Sequence, residues 1–137
     1  MSAEVDVTAY LNTEGVGTLG TNLFQGPVRP NSQYVPANAL FVLGGGGPPA
    51  QRYLSGGAQI ENRYPSVQIT VRNIDYNTGK TKAEEVHNAL QAAKISGYWD
   101  CKVEQSAPLY LGTVDDNYRW TVNCTLAKRT EGWHGND

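Results

Sequence analysis

The chain has 137 residues, enough for one domain that buries its own core without staples. Lys and Arg number 11 against 13 Asp and Glu, a net charge of −2, so the chain carries no basic footprint for nucleic acid. No apolar run approaches the roughly 18–20 residues that span a bilayer, and Met1-Ser2-Ala3-Glu4-Val5-Asp6 lacks the basic and apolar regions of a signal peptide, which predicts a cytoplasmic chain.

Ala3 to Leu11 reads as a short helix with Val5, Val7, Ala9 and Leu11 as a weak apolar face and Gly15 as its stop. Thr18 to Gln25 reads as a strand ended by Gly26-Pro27, and Val28 to Pro36 as a loop or edge segment. Ala39-Leu40-Phe41-Val42-Leu43 is a continuous apolar run that suits a strand buried on both faces. Gly44-Gly45-Gly46-Gly47-Pro48-Pro49 excludes helix and central strand, and predicts a mobile loop that orders against a partner. Gln51 to Glu61 is polar and reads as a short extended arm. In Ser66 to Asn73, Val67, Ile69 and Val71 alternate with Gln68, Thr70 and Arg72, the period of a strand with one buried face.

Thr81-Lys82-Ala83-Glu84 fits a capping box, which opens the main helix at Thr81, or a turn earlier at Asn77. Ala83, Val86, Leu90 and Ala93 share one stripe, and Lys94 and Gly97 suit the helix end. Tyr98 to Gln105 alternates with Trp99, Cys101 and Val103 on one side; Leu109 to Leu111 gives another strand, and Asp115-Asp116-Asn117 a turn. Arg119 to Lys128 points Trp120, Val122, Cys124 and Leu126 inward, while the residues from Thr130 carry no packing pattern and read as a flexible tail. Together these elements predict a single α+β domain over residues 1–137: a mostly antiparallel sheet flanked by an N-terminal helix and one long helix. Its predicted core is Val67, Ile69, Val71, Val86, Leu90, Trp120, Val122, Cys124 and Leu126. With those stripes assigned, no apolar stripe is left for the surface, which predicts weak association of the free chain.

The chemistry suggested by short motifs does not survive inspection. Gly79-Lys80-Thr81 resembles a phosphate loop, but the upstream glycine position holds Ile74 and Asp75 would aim a carboxylate at the phosphates. His87 and His134 have no further ligands at metal spacing, so His87 reads as an exposed helix residue. Asp115 and Asp116 are too few for a calcium site. Cys101 and Cys124 read as reduced, buried thiols. No nucleophile has a base beside it. The sequence therefore predicts no enzyme, no cofactor and no metal.

Several segments together resemble one family. They are Leu19-Gly20-Thr21-Asn22-Leu23-Phe24, Leu43-Gly44-Gly45 with Pro48-Pro49, Tyr64-Pro65-Ser66-Val67-Gln68-Ile69 with Val71-Arg72, Tyr76 with Ala83 and Leu90, and Pro108-Leu109, Leu111-Gly112, Asp115-Asp116-Asn117 and Arg119. In that order they resemble the tail-terminator, or tail-to-head joining, proteins of long-tailed bacteriophages, also filed as minor capsid proteins. Asn77-Thr78-Gly79-Lys80-Thr81 is more polar than the family's helix start, and Gly57 to Asn62 has no clear counterpart there.

The resemblance implies a ring, generally of six copies, on the end of the tail tube. Its partners would be further copies of the chain, the major tail tube protein and a head-completion or neck protein, with no membrane and no specific nucleic acid. The ring would sit at the head–tail junction of the virion. Gly44, Gly45, Gly46, Gly47, Pro48, Pro49, Asp115, Asp116 and Arg119 are the candidate subunit and tube contacts. Two alternatives stay open: a head-completion or neck adaptor, and a β-rich sugar- or peptide-binding module in which Tyr34, Tyr53, Tyr64 and Tyr110 line a groove.

Overall fold

The computed structural model describes residues 3–26, 38–47, 51–55, 58–91, 93–114 and 116–131. Two helices, α1 (Ala3–Thr13) and α2 (Tyr76–Leu90), accompany eight strands. These are β1 (Leu23–Gln25), β2 (Ala39–Gly44), β3 (Gln51–Ser55), β4 (Ala58–Arg63), β5 (Ser66–Asn73), β6 (Asp100–Val103), β7 (Leu109–Val114) and β8 (Asn117–Glu131). They run in the order β1-β2-β5-β8-β4-β3, with β6 and β7 also paired to β8. β1 and β2 are parallel and the other named pairs antiparallel. The fold is the α+β class that the pattern predicts.

β8 is the spine. β5 lies along one of its edges from Tyr118 to Thr125, and β7 and then β6 share the other. β4 continues the β5 register: Arg63 stands opposite Lys128 as Ser66 stands opposite Thr125. At the interruption, Tyr64-Pro65, the Leu126 N–H donates to the Pro65 carbonyl at 2.9 Å, so the ladder carries across the break. The β8 ladder therefore takes in Thr130 and Glu131, opposite Glu61 and Ile60.

One face of the sheet is apolar. Leu40 and Val42, Val67, Ile69 and Val71, and Trp120, Val122, Cys124 and Leu126 meet Val7 and Leu11 of α1 and Ala83, Val86 and Leu90 of α2 in one buried cluster. Both helices thus cover the same face, and every residue of the predicted core is buried. The period-2 pattern succeeds because this face of β5 and β8 meets the helices, although Thr70, Thr121 and Ala127 are buried on the other face as well.

Several boundaries differ from the sequence reading. α2 starts at Tyr76, and its cap is Asp75, whose carboxylate accepts from Thr78 N–H at 2.8 Å and Thr78 Oγ1–H at 2.7 Å. The Thr81 hydroxyl instead donates back to the Asn77 carbonyl at 3.0 Å, so the Thr81–Glu84 box is not the cap. An earlier start lets Tyr76 pack edge-on against Tyr110 and Tyr118. The helix ends at Leu90 with Gln91 as its cap, because the chain then turns to bury Ile95; Gly97 serves the following turn. Only Leu23–Gln25 of the Thr18–Gln25 run is strand, since the Thr18 carbonyl accepts from the N–H groups of Thr21, Asn22 and Leu23 and closes a turn. Trp99 stays exposed while Cys101 turns inward. The residue before Trp99, Tyr98, points to α1 instead and donates to Asp6 at 2.7 Å. His87 is buried rather than exposed: the chain after β6 folds over α2 and brings the Gln105 carbonyl to 2.8 Å from its Nε2.

Candidate functional site

The candidate contact residues occupy two ends of the sheet. Gly44 closes β2 level with Val67, and its N–H donates to Glu4 Oε2 at 3.0 Å. Gly45 N–H donates to the Ser66 carbonyl at 2.8 Å. Gly47, at φ +88°, presses so closely that a Cβ would lie 2.0 Å from the Tyr64 carbonyl oxygen. Gly45 and Gly47 answer a close crossing over Tyr64 to Ser66, where a side chain has no room, whereas a Cβ at Gly44 would meet only ordinary contacts. Pro48 and Pro49 lie outside the described residues, as does Asp115. Asp116 is exposed with φ +65°, in the turn between β7 and β8, and Arg119 is half-buried opposite Arg72 and Gly112. The glycine segment and the Asp116–Arg119 turn do not converge on one site.

Two features near those ends escaped the sequence reading. The first is an arm. β3 and β4 form a hairpin, Ser55 opposite Ala58, and β4 pairs with the last residues of β8. Among the described residues, α1 packs on β1, β2 and β5 and α2 on β5, β6 and β8, while β3 pairs with β4 and β4 meets the body along β8. The faces change character at its root: the register that carries Val67 and Leu126 in the core carries Arg63 and Lys128 beyond it. The Lys128 ammonium sits 5.9 Å from the Tyr98 ring centroid, and Asn62 Oδ1 is buried with no partner among the described residues.

The second is an aromatic patch at the opposite end of β8. Tyr76, Tyr110, Tyr118 and Trp120 form a chain of ring contacts with centroids 5.4–6.4 Å apart. Tyr76 and Tyr110 remain 40% and 44% exposed; Leu109, Leu111 and Ile74 are exposed near them at 50%, 44% and 61%, Leu109 on the other face of the sheet, opposite Thr121. β7 carries three of these in succession, bulges between Tyr110 and Gly112, and has β8 as its strand partner. The expectation that no apolar surface would remain is therefore wrong. Leu109 to Leu111 was legible as a strand, but not that it would stand at an edge without cover.

Among the described residues, no three His, Cys, Asp or Glu groups could hold a metal. Gly79 is pressed against Trp120, where a phosphate loop would need open space. Cys101 and Cys124 are free and buried, and the Cys101 sulfur followed by burial push the Cys124 thiol up, so it stays protonated. Tyr64 lies at the arm root and Tyr110 in the distant patch, so they do not share a groove; Tyr34 and the Tyr53 side chain lie outside what is described.

No family model matches the chain, and no curated protein does. A solved structure does: a chain in "Virion of native gene transfer agent (GTA) particle" aligns over 96% of this chain and 96% of its own, with a TM-score of 0.56 and 14% identity. The fold is similar to that of a virion chain. At such low identity the likeness concerns the path of the backbone rather than any residue.

Proposed function

We propose that the chain is a structural protein of a phage or phage-like virion that caps the end of the tail tube as a ring, stops tube growth and presents the surface that joins the head. The observation that carries the reading is the end-to-end likeness of fold to a virion chain. The segments resembling tail terminators, Tyr64 to Ile69 above all, support the reading that the chain sits at the end of the tail. An exposed aromatic edge on an otherwise polar, weakly charged chain suits assembly better than catalysis. In this reading the ring has six copies, and its partners are the tail tube protein and a head-completion protein. Gly44 to Pro49, Asp115, Asp116 and Arg119 lie at its contacts, and no residue has a catalytic or cofactor role.

Rings of copies demand a head-to-tail interface that closes. Growth stops because the ring covers the last layer of the tube. The test is a phage from which this gene is deleted. Filled heads and separate tails are expected, the tails overlong or unable to join. Tails of normal length beside heads that lose their DNA would assign the protein to the neck as an adaptor instead.

A further inference from the structure

Resting on that ring, the inference here concerns how one copy holds the next. We infer that the β3–β4 arm of one copy docks on the β7 edge and aromatic patch of a second copy. The two features lie at opposite ends of β8. From Asn117 to Lys128 the strand covers about 36 Å at ~3.3 Å per residue. An arm therefore cannot reach the patch of its own chain, and arm-to-patch contact repeats head to tail, the geometry that closes into rings.

Three properties make the second copy the occupant. A β-ribbon without a helix layer is marginal by itself and gains from cover. The edge of β7, with Leu109, Tyr110 and Leu111 exposed, is a template for a further strand, and the arm supplies one. The charges also match. β3 and β4, with the end of β8 on which β4 pairs, carry Arg52, Arg63, Lys128 and Arg129 against Glu61 and Glu131 in sequence, in a chain that is negative as a whole. Exposed Asp75, next to Tyr76, and exposed Asp116, just after β7, flank the patch, and Arg119 is half-buried. Such complementarity sets orientation more than strength. The contact accordingly needs a tube end, which raises the local concentration of copies, to fill a ring.

Carbodiimide coupling of the purified full chain, without tails, tests the contact, because it joins a lysine amine to a carboxylate only where they touch. An amide between Lys128 and Asp75 or Asp116 can form only between copies. Multimers carrying that amide are expected, and an Arg129→Lys variant places a second amine on the arm should Lys128 stay on Tyr98. Leu109→Lys with Leu111→Lys should cut the yield about tenfold while leaving circular dichroism unchanged, since both side chains are exposed. Mixing that patch variant with an Arg129→Glu arm variant should restore coupling, but only as dimers, because each mixed pair keeps one intact arm and one intact patch. Three results overturn the inference: no intermolecular amide from Lys128 or from the second amine of the Arg129→Lys variant, amides that join other surfaces, or failure of the mixture to couple. The tail phenotype is independent: normal tails in the deletion would remove the terminator reading and leave this contact standing.

Discussion

At Gly79 two residue-scale effects oppose each other. Alanine is the better helix former by about 1 kcal/mol. A Cβ there, however, would stand 2.4 Å from Trp120 Cζ3 and 2.8 Å from the Asn73 Cβ. Overpacking of this kind costs about 1–3 kcal/mol, so Gly79→Ala is expected to lower the urea midpoint. A raised midpoint would mean that the indole can move aside. Asp75 gives a second residue-scale prediction. The Thr78 hydroxyl and then the Thr78 N–H hold its carboxyl below the usual carboxylate range. A lowered folded-state pKa contributes stability that is present above the ordinary carboxylate pKa and lost as pH falls through the lowered value. Asp75→Asn keeps a capping oxygen and should flatten that acid limb; Asp75→Ala should lower stability at neutral pH as well. Thr81→Ala should leave the acid limb alone. Urea midpoints measured against pH separate the three, and an acid limb unchanged in Asp75→Asn would assign the cap elsewhere.

At the scale of elements, what was legible in the sequence was what each segment buries by itself. β5 and β8 alternate because one face meets the helices, and the core could be named from Val67 to Leu126 on that ground alone. Gln51 to Arg63 shows no such alternation, and its strands are placed by pairing, β3 with β4 and β4 with β8, which local sequence does not reveal. The sequence reading opens α2 at Thr81 or Asn77; the start at Tyr76, capped by Asp75, goes with contact of Tyr76 with β7 and β8, which local sequence does not contain. The candidate site was half legible: the glycine segment read as a loop, but its close crossing over Tyr64 depends on a strand far along the chain. Amide exchange follows from this division. In the free chain, β3 and β4 should exchange much faster than β5 and the Tyr118–Thr125 part of β8, and should slow on assembly. Equal protection of arm and core in the free chain would show that the arm is already covered within one copy.

Taken whole, the molecule is two layers with unequal ends. Helices cover one face of the sheet, the β3–β4 hairpin leaves at one end, and aromatic rings surface at the other. Deletion of the gene and coupling of copies probe this polarity at the scale of the particle and of the pair. The unbroken register across Tyr64-Pro65 also has a mechanical side. Sheet hydrogen bonds lie across the strands, so a pull along the arm loads the β5–β8 bonds side by side, in shear. They must fail together. A sideways force on β7 peels its bonds from β8 one at a time. A joint built from these parts would be stiff under tension along the arm and would come apart by peeling at the aromatic edge.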